Sequence, residues 1–122
     1  MARTVAIVVS DLLLRSRITE AAAAAGLRTT DADSESALAV ALAARPSAAI
    51  VDLHERNLAA VEALRRFCEA GVPVLAFGRH TEPATLRAAR DAGAAIVVPR
   101  SQLVEELPTL LARLLASNGQ PA

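Results

Sequence analysis

The chain has 122 residues, of which 53% are hydrophobic and 21% charged, a composition too apolar for a disordered protein and sufficient for one packed core. The 13 basic and 13 acidic residues balance, so the broad positive field that draws proteins to nucleic acid or anionic membranes is missing. No apolar run approaches the roughly 20 residues that cross a bilayer, and no signal-peptide pattern follows Met1. We therefore expect one soluble, cytoplasmic domain over residues 1–122, with residues 117–122 as a loose tail.

The residue types that the chain lacks exclude several kinds of chemistry. All basic residues are arginine, and lysine, tyrosine and tryptophan do not occur, which excludes a phosphate-loop lysine, a Schiff base and a catalytic tyrosine. Cys68 is the only cysteine, so an intramolecular disulfide and a multi-cysteine zinc site are impossible and a reducing compartment is favoured. We expect a protein that is not an enzyme.

Five short runs rich in β-branched residues alternate with five segments of helical period, which predicts a parallel sheet covered by helices. The predicted strands and helices, in chain order, are strand 4–10, helix 12–25, strand 27–30, helix 34–44, strand 48–53, helix 57–70, strand 73–78, helix 82–92, strand 95–99 and helix 103–116. Pro108 falls inside the last helical segment, where it predicts a kink unless the regular helix begins near Val104.

Glycines mark the predicted helix ends. Gly26, Gly71, Gly93 and Gly119 each follow a helical segment, where a left-handed cap favours a residue without Cβ. Asp33 or Ser34 caps the second helix, and Thr81, Glu82 and Pro83 mark the start of the fourth. The residues expected to be almost inaccessible in the central sheet are Ile7, Val9, Ile50, Val74, Leu75, Ile96 and Val98.

The functional crevice of such a sheet lies at the carboxyl ends of its strands. These ends present Ser10 and Asp11 after the first strand, Asp52 after the third and Arg100 after the fifth. Two carboxylates brought together repel unless a hard cation bridges them, so Asp11 and Asp52 suggest a divalent-metal site. The alternative is that both carboxylates bond loop amides or cap helices.

Two segments resemble the receiver domain of two-component response regulators, similar in outline to the single-domain chemotaxis regulator. The first is PSAAIVD at 46–52, followed by LRRF at 64–67, and the second is DAGAAIVVPR at 91–100. The resemblance covers the chain from Thr4 to about Ala116. It implies a flavodoxin-like, doubly wound, five-stranded parallel sheet of order 2-1-3-4-5 with helices on both faces.

By this resemblance Asp52 occupies the phosphoacceptor position and Asp11 matches the acid that contacts magnesium. Ser10 replaces the second acid of the family's acidic pair. Glu55 follows the phosphoacceptor position where the family has methionine, and it is expected to approach the site.

Three further positions depart from the family's pattern. Gly78 stands in place of the hydroxyl residue at the end of the fourth strand, Val97 in place of the switch aromatic, and Arg100 in place of the lysine. In the family, metal, lysine and hydroxyl hold a phosphoryl group on the aspartate, and the aromatic ring swings inward in response. Gly78 has no hydroxyl to recruit and Val97 has no ring to rotate. Any Mg²⁺ bound by Asp11 and Asp52 is expected to be weak.

These departures predict an atypical receiver-like signalling module that acts through protein partners without a conventional phosphorylation switch. One alternative is a working phosphoacceptor that uses Asp52, and another is a small-ligand-binding flavodoxin-like domain. Weak homodimerisation is expected through the fourth helix, fifth strand and fifth helix. The apolar residues offered by that face are Leu86, Ala89, Val97, Leu107, Leu111 and Leu114.

The remaining motifs have simple interpretations. Residues 52–57 resemble a broken form of the Asp-x-His-x-x-Gly signature of cobalamin-binding domains, with Asn57 in place of the glycine, but the motif follows the third strand rather than the first. His54 is expected to be a loop residue at the mouth of the crevice, and His80 to face solvent. Arg87 and Arg90 indicate a solvated helix face or part of a partner interface.

Overall fold

The computed structural model describes residues 3–117, in which five strands alternate with five helices. The elements are β1 (Thr4–Val8), α1 (Leu12–Ala24), β2 (Arg28–Asp31), α2 (Glu35–Ala43), β3 (Ala48–Asp52), α3 (Ala60–Glu69), β4 (Val74–Gly78), α4 (Pro83–Asp91), β5 (Ile96–Pro99) and α5 (Arg100–Ser117). The strands form one sheet of order β2-β1-β3-β4-β5, and every pairing is parallel. The predicted fold class and strand order are confirmed.

Helices cover both faces of the sheet because strand residues alternate between the faces. Ile7 and Ile50 pack in a cluster with apolar residues of α1 and α5. Val8 and Val51, one residue further along each strand, pack in a second cluster with residues of α2, α3 and α4. All seven residues predicted to line the central sheet are buried, the most accessible being Ile96 at 8%.

Several predicted boundaries differ from the structure. β1 ends at Val8 rather than at residue 10, and α3 begins at Ala60 rather than at residue 57, so the loops that lead away from both strands are longer than predicted. α5 runs from residue 100 to Ser117, which places Ser117 in the helix and not in a tail. Residues 118–122, including the predicted stop at Gly119, lie outside the described residues.

The predicted kink at Pro108 is present because α5 begins well before Val104. Glu106 has φ −118° and ψ 24°, which are not helical values, and it lies two residues before the proline. Proline has no N–H to donate and its ring crowds the preceding turn, so the helix bends there. The bend still leaves Leu107 and Leu111 buried against the sheet.

Local signals set the helix ends as expected. Gly26, Gly71 and Gly93 all have positive φ, and the Ser34 side chain accepts a hydrogen bond from the Ala37 N–H at 3.2 Å at the start of α2. Arg45 adopts φ +53° after α2, a conformation that costs an L-residue free energy that glycine avoids. No helix within residues 3–117 combines the length and apolarity needed to cross a membrane.

Candidate functional site

The candidate site lies at the carboxyl ends of β1, β3 and β4 and the start of α5, on the side of the sheet where the strand order reverses. A cavity of about 60 Å³ opens there. Its lining residues are Asp52, His54, Phe77, Gly78, Arg79 and Arg100. A cavity of this size admits a small ion or group and is well below the range of about 300–1,000 Å³ typical of small-molecule sites.

Asp52 is the last residue of β3 and is 8% exposed. Its Oδ1 accepts a hydrogen bond from the backbone N–H of His54 at 2.8 Å. Burial raises the pKa of the Asp52 carboxyl, and the His54 hydrogen bond opposes that rise in part. Asp52 thus lines the cavity with a carboxyl whose ionised form is penalised by burial.

Asp11 caps α1 and also forms an ion pair across the crevice. Its Oδ1 accepts a hydrogen bond from the Leu14 N–H at 3.1 Å, and its Oδ2 accepts one from Arg100 Nη2 at 2.8 Å. The hydrogen bond from Arg100, followed by that from Leu14, lowers the pKa of the Asp11 carboxyl. Both expectations for Asp11, that it lies in the crevice and that it caps a helix, are therefore met by one side chain.

Ser10 and Glu55 bind each other at the edge of the crevice. The Ser10 N–H donates to Glu55 Oε1 and the Ser10 hydroxyl donates to Glu55 Oε2, both at 2.9 Å. Glu55 Oε2 also accepts hydrogen bonds from the Arg56 and Asn57 N–H groups, each at 3.1 Å. The Glu55 carboxylate, in the loop after β3, thus contacts Ser10, which stands where the resemblance implies a second acid.

His54 fills the space beside Gly78, a contact that sequence reasoning missed. A β-carbon at position 78 would lie 3.2 Å from His54 Nε2. The same nitrogen accepts a hydrogen bond from the Arg79 N–H at 3.1 Å. Two features of the sequence could have indicated this contact. Gly78, which has no side chain, ends β4, and His54 follows the end of the neighbouring strand β3 by two residues.

The remaining predicted positions contribute less to the crevice. Val97 is half-buried on β5, packs against the cluster formed with α2, α3 and α4, and does not line the cavity. His80 is exposed. Arg15 was not identified from the sequence. Its guanidinium links the loop after β1 to the end of β2 and the loop that follows, by donating to the Val9 carbonyl at 3.0 Å, Asp31 at 3.3 Å and Asp33 at 3.1 Å.

The described residues do not fit a ready-made magnesium site. Among residues 3–117, no three His, Cys, Asp or Glu side chains are grouped closely enough to hold a metal ion. Asp11 already binds Arg100, and the Glu55 carboxylate accepts four hydrogen bonds. Arg100 supplies the compensating charge that a cation would otherwise bring.

Two leucines beside the crevice are left in solvent. Leu12 and Leu13 begin α1, directly after Asp11, and are 74% and 81% exposed. The two leucines are adjacent in the chain, so together they expose more apolar area than a single surface residue.

Comparison with known proteins identifies the fold. No protein-family model and no curated protein sequence matches the chain. Among solved structures, NtrX from Brucella abortus has 19% identity and a TM-score of 0.83, covering 97% of this chain and 28% of NtrX. This chain thus spans little more than a quarter of NtrX.

Two further structures match over their whole length. A response regulator from Thermotoga maritima has 17% identity and a TM-score of 0.80, covering 96% of this chain and 100% of that one. The response regulator domain of Thermotoga maritima CheB has 18% identity and a TM-score of 0.79, covering 99% and 100%. The chain therefore has the fold of response-regulator receiver domains, as the resemblance implied.

Proposed function

We propose that this receiver-like domain is a signalling module that binds protein partners and has no conventional phosphorylation switch. The observation that carries the proposal is the position of His54 beside Gly78. The resemblance implies that a hydroxyl at position 78 moves toward a phosphoryl group. Here an imidazole occupies that space and is already bonded to the Arg79 N–H.

A switch also needs a free-energy difference between two states. A modification shifts an equilibrium only by the amount by which it favours one state over the other. Val97 has no aromatic ring to relocate, and Gly78 has no hydroxyl to recruit. A phosphoryl group on Asp52 would therefore gain few contacts in one state that it lacked in the other.

The kind of partner is suggested by the surface next to the crevice. Leu12 and Leu13 are exposed at the start of α1, and the Asp11–Arg100 ion pair lies beside them. An apolar pair bordered by charges is the composition of a protein interface, with a hydrophobic centre and a polar rim. We propose that a protein partner covers these leucines. Nucleic acid and membrane are not among the partners we propose, and we propose a cytoplasmic location.

A working phosphoacceptor is the second candidate, and one observation favours it. Asp52 borders a cavity that also contains Arg100, a guanidinium suited to a phosphoryl group. The third candidate, a small-ligand-binding flavodoxin-like domain, is limited at this site by the cavity volume of about 60 Å³.

We propose that the domain has no resident cofactor and is not an enzyme. Mg²⁺ binding at Asp11 and Asp52 is expected to be weak, because Asp11 would have to exchange its bond to Arg100 for the metal. When bound, the ion would supply charge compensation to the two carboxylates.

Weak homodimerisation through α4, β5 and α5 stays a prediction. This face exposes fewer apolar residues than the sequence indicated. Leu86, Ala89, Leu107, Leu111 and Leu114 are buried within the domain at 8% exposure or less, and only Val97 keeps partial exposure. The leucines of this face belong to the core because they pack against the sheet. A dimer would therefore depend on Val97 and on polar residues around it.

The experiment that tests the absence of a switch compares amide NMR spectra of the domain alone, with Mg²⁺, and with Mg²⁺ plus beryllofluoride. The Asp52→Asn variant is the matched control, because its amide keeps the acceptor for the His54 N–H. We expect small beryllofluoride-dependent shifts confined to residues that line the crevice. Large, Asp52-dependent shifts through residues 78–100 would contradict the proposal and favour the phosphoacceptor.

A further inference from the structure

A second cleft lies at the other end of the sheet, where β1, β2 and β3 begin. It has a volume of about 580 Å³ and is open to solvent beside the edge strand β2. Three arginines line it, namely Arg3, Arg28 and Arg45. Its volume lies within the range of about 300–1,000 Å³ typical of small-molecule sites, whereas the crevice around Asp52 is far smaller.

The charge in this cleft is not compensated by the residues that line it. No aspartate or glutamate is among the lining residues, and none of the three arginines forms an ion pair with another residue in the range 3–117. Arg45 follows the end of α2, a place where a positive charge is favourable. Arg3 and Arg28 have no such role. Three arginines line one cleft of a protein with zero net charge, and this local excess of positive charge favours an anionic ligand.

Neutral hydrogen-bond donors line the same cleft. The hydroxyl residues are Thr29, Thr30 and Ser47, all half-buried. The Arg28 N–H donates to the Arg3 carbonyl, just before β1, and the Ala32 N–H donates to the Ile7 carbonyl of β1. The alternation of a parallel ladder therefore directs the Thr29 N–H toward the open edge of the sheet. Guanidinium groups, hydroxyls and a main-chain N–H together form the donor set that phosphate oxygens accept from.

One part of the cleft lining is apolar. It is formed by Val40, Ala41, Ala44 and Pro46, and Val40 is 69% exposed. An isolated inorganic anion would leave this wall in water, whereas a ligand with a planar apolar part would cover it. The composition therefore favours an anion that also carries a ring system.

We propose that this cleft, bounded by Arg3, Arg28, Arg45, Thr29 and Val40, binds a nucleoside diphosphate. The two phosphate groups lie among the arginines, where about three positive charges match the charge of a diphosphate. The base lies against the apolar wall. This inference is independent of the proposed function, because the cleft shares no lining residue with the crevice around Asp52.

The test titrates the full chain with ADP and GDP by isothermal calorimetry and by amide NMR. Pyrophosphate and citrate are added in parallel, since pyrophosphate has the charge without the base and citrate has carboxylates instead of phosphates. We expect ADP or GDP to bind more tightly than pyrophosphate, and citrate to bind least. Amide shifts should centre on residues 28–30 and 44–47.

Two substitutions each remove one positive charge from the cleft without creating a cavity in the core. Arg28→Ala and Arg45→Gly should each weaken nucleotide binding by about tenfold or more, the effect of losing one charge-assisted hydrogen bond. Glycine is chosen at position 45 because it adopts positive φ without strain, so the fold is retained. Arg113→Ala is the matched control, because Arg113 is exposed, as Arg28 and Arg45 are, but does not line the cleft.

Several outcomes would overturn the proposal. They are the absence of saturable nucleotide binding, equal losses in Arg113→Ala and Arg28→Ala, and citrate binding as tight as that of ADP. If pyrophosphate bound as tightly as ADP, the base would gain nothing from the apolar wall, which would contradict the proposal of a nucleoside diphosphate. Asp52→Asn should leave nucleotide binding unchanged, so this test can fail without affecting the proposed function.

Discussion

The imidazole of His54 lies in the space that a side chain on residue 78 would enter. Nε2 of His54 lies 3.2 Å from the position of a β-carbon on residue 78, and it accepts the Arg79 N–H at 3.1 Å. The histidine ring comes from the loop after β3, and the glycine ends the neighbouring strand β4. A side chain at position 78 would therefore crowd the imidazole, and it would also meet methyl carbons of Leu53 and Leu86 at 3.4 Å.

This relationship predicts a strong coupling between the two positions. Gly78→Thr should displace His54 and leave the Arg79 N–H without its acceptor, which lowers the free energy of unfolding by about 1–2 kcal/mol. In a His54→Ala background the same change should cost less or stabilise, because threonine favours a strand more than glycine does. Urea unfolding of the two single variants and the double variant measures the coupling. Additive effects of the two changes would show that His54 and Gly78 do not share this space.

Removal of Arg100 should free Asp11 for a metal ion. The Arg100–Asp11 pair is exposed, with side-chain accessibilities of 48% and 39%, so Arg100→Ala should change stability by less than about 1 kcal/mol. Mg²⁺ affinity should rise, because a positive charge that competes for Asp11 is lost. An NMR titration with Mg²⁺ measures the change, and Arg90→Ala serves as a control on an exposed arginine of α4. Unchanged Mg²⁺ affinity in Arg100→Ala would contradict this account of the crevice.

Substitution of an acidic residue at position 10 should destabilise the protein, because the new carboxylate would repel that of Glu55. Ser10→Asp loses the hydroxyl that donates to Glu55 Oε2 and brings two carboxylates together, with an expected cost of about 1–2 kcal/mol. Ser10→Asp combined with Glu55→Gln should recover only the part of the cost that comes from charge repulsion, since the amide NH₂ cannot accept the backbone N–H bonds that the Glu55 carboxylate accepts. Thermal unfolding at neutral pH reports the cost and its recovery. Mg²⁺ should also stabilise Ser10→Asp more than the unsubstituted protein.

The carboxyl of Asp52 should make stability depend on pH in a specific direction. Its pKa in the folded protein is raised above the ordinary value of 3.8, so the folded state holds its proton more strongly than the unfolded state. This contribution is fully present below the ordinary pKa and is lost as pH rises through the raised value.

Asp52→Asn tests that dependence, because asparagine stays neutral at all pH values. The variant should be more stable than the unsubstituted protein near pH 7, and the difference should shrink to nearly nothing below about pH 4. Unfolding curves across this pH range measure it. Asp11→Asn should show the opposite sign, since the pKa of Asp11 is lowered. A pH-independent effect of Asp52→Asn would contradict the burial penalty at this site.

The sequence by itself determined the architecture of this protein. Strand runs such as 48–53 and 95–99 are apolar at consecutive positions because both faces of the sheet are covered, and this pattern depends only on local residue order. The glycines after the helices and Ser34 act within a few residues of their own position, so they too could be identified from the sequence. The sequence also placed Asp11, Asp52 and Arg100 at one edge of the sheet, because parallel strands end together.

Only the tertiary structure decided which side chains pair at that edge. The pairs Ser10 with Glu55, Asp11 with Arg100, and His54 with Gly78 join residues 24–89 positions apart in the chain. Their contacts depend on loop paths and rotamers that no periodicity specifies. The cleft of Arg3, Arg28 and Arg45 has the same origin, since three strand beginnings that are distant in sequence lie side by side only after the sheet has formed.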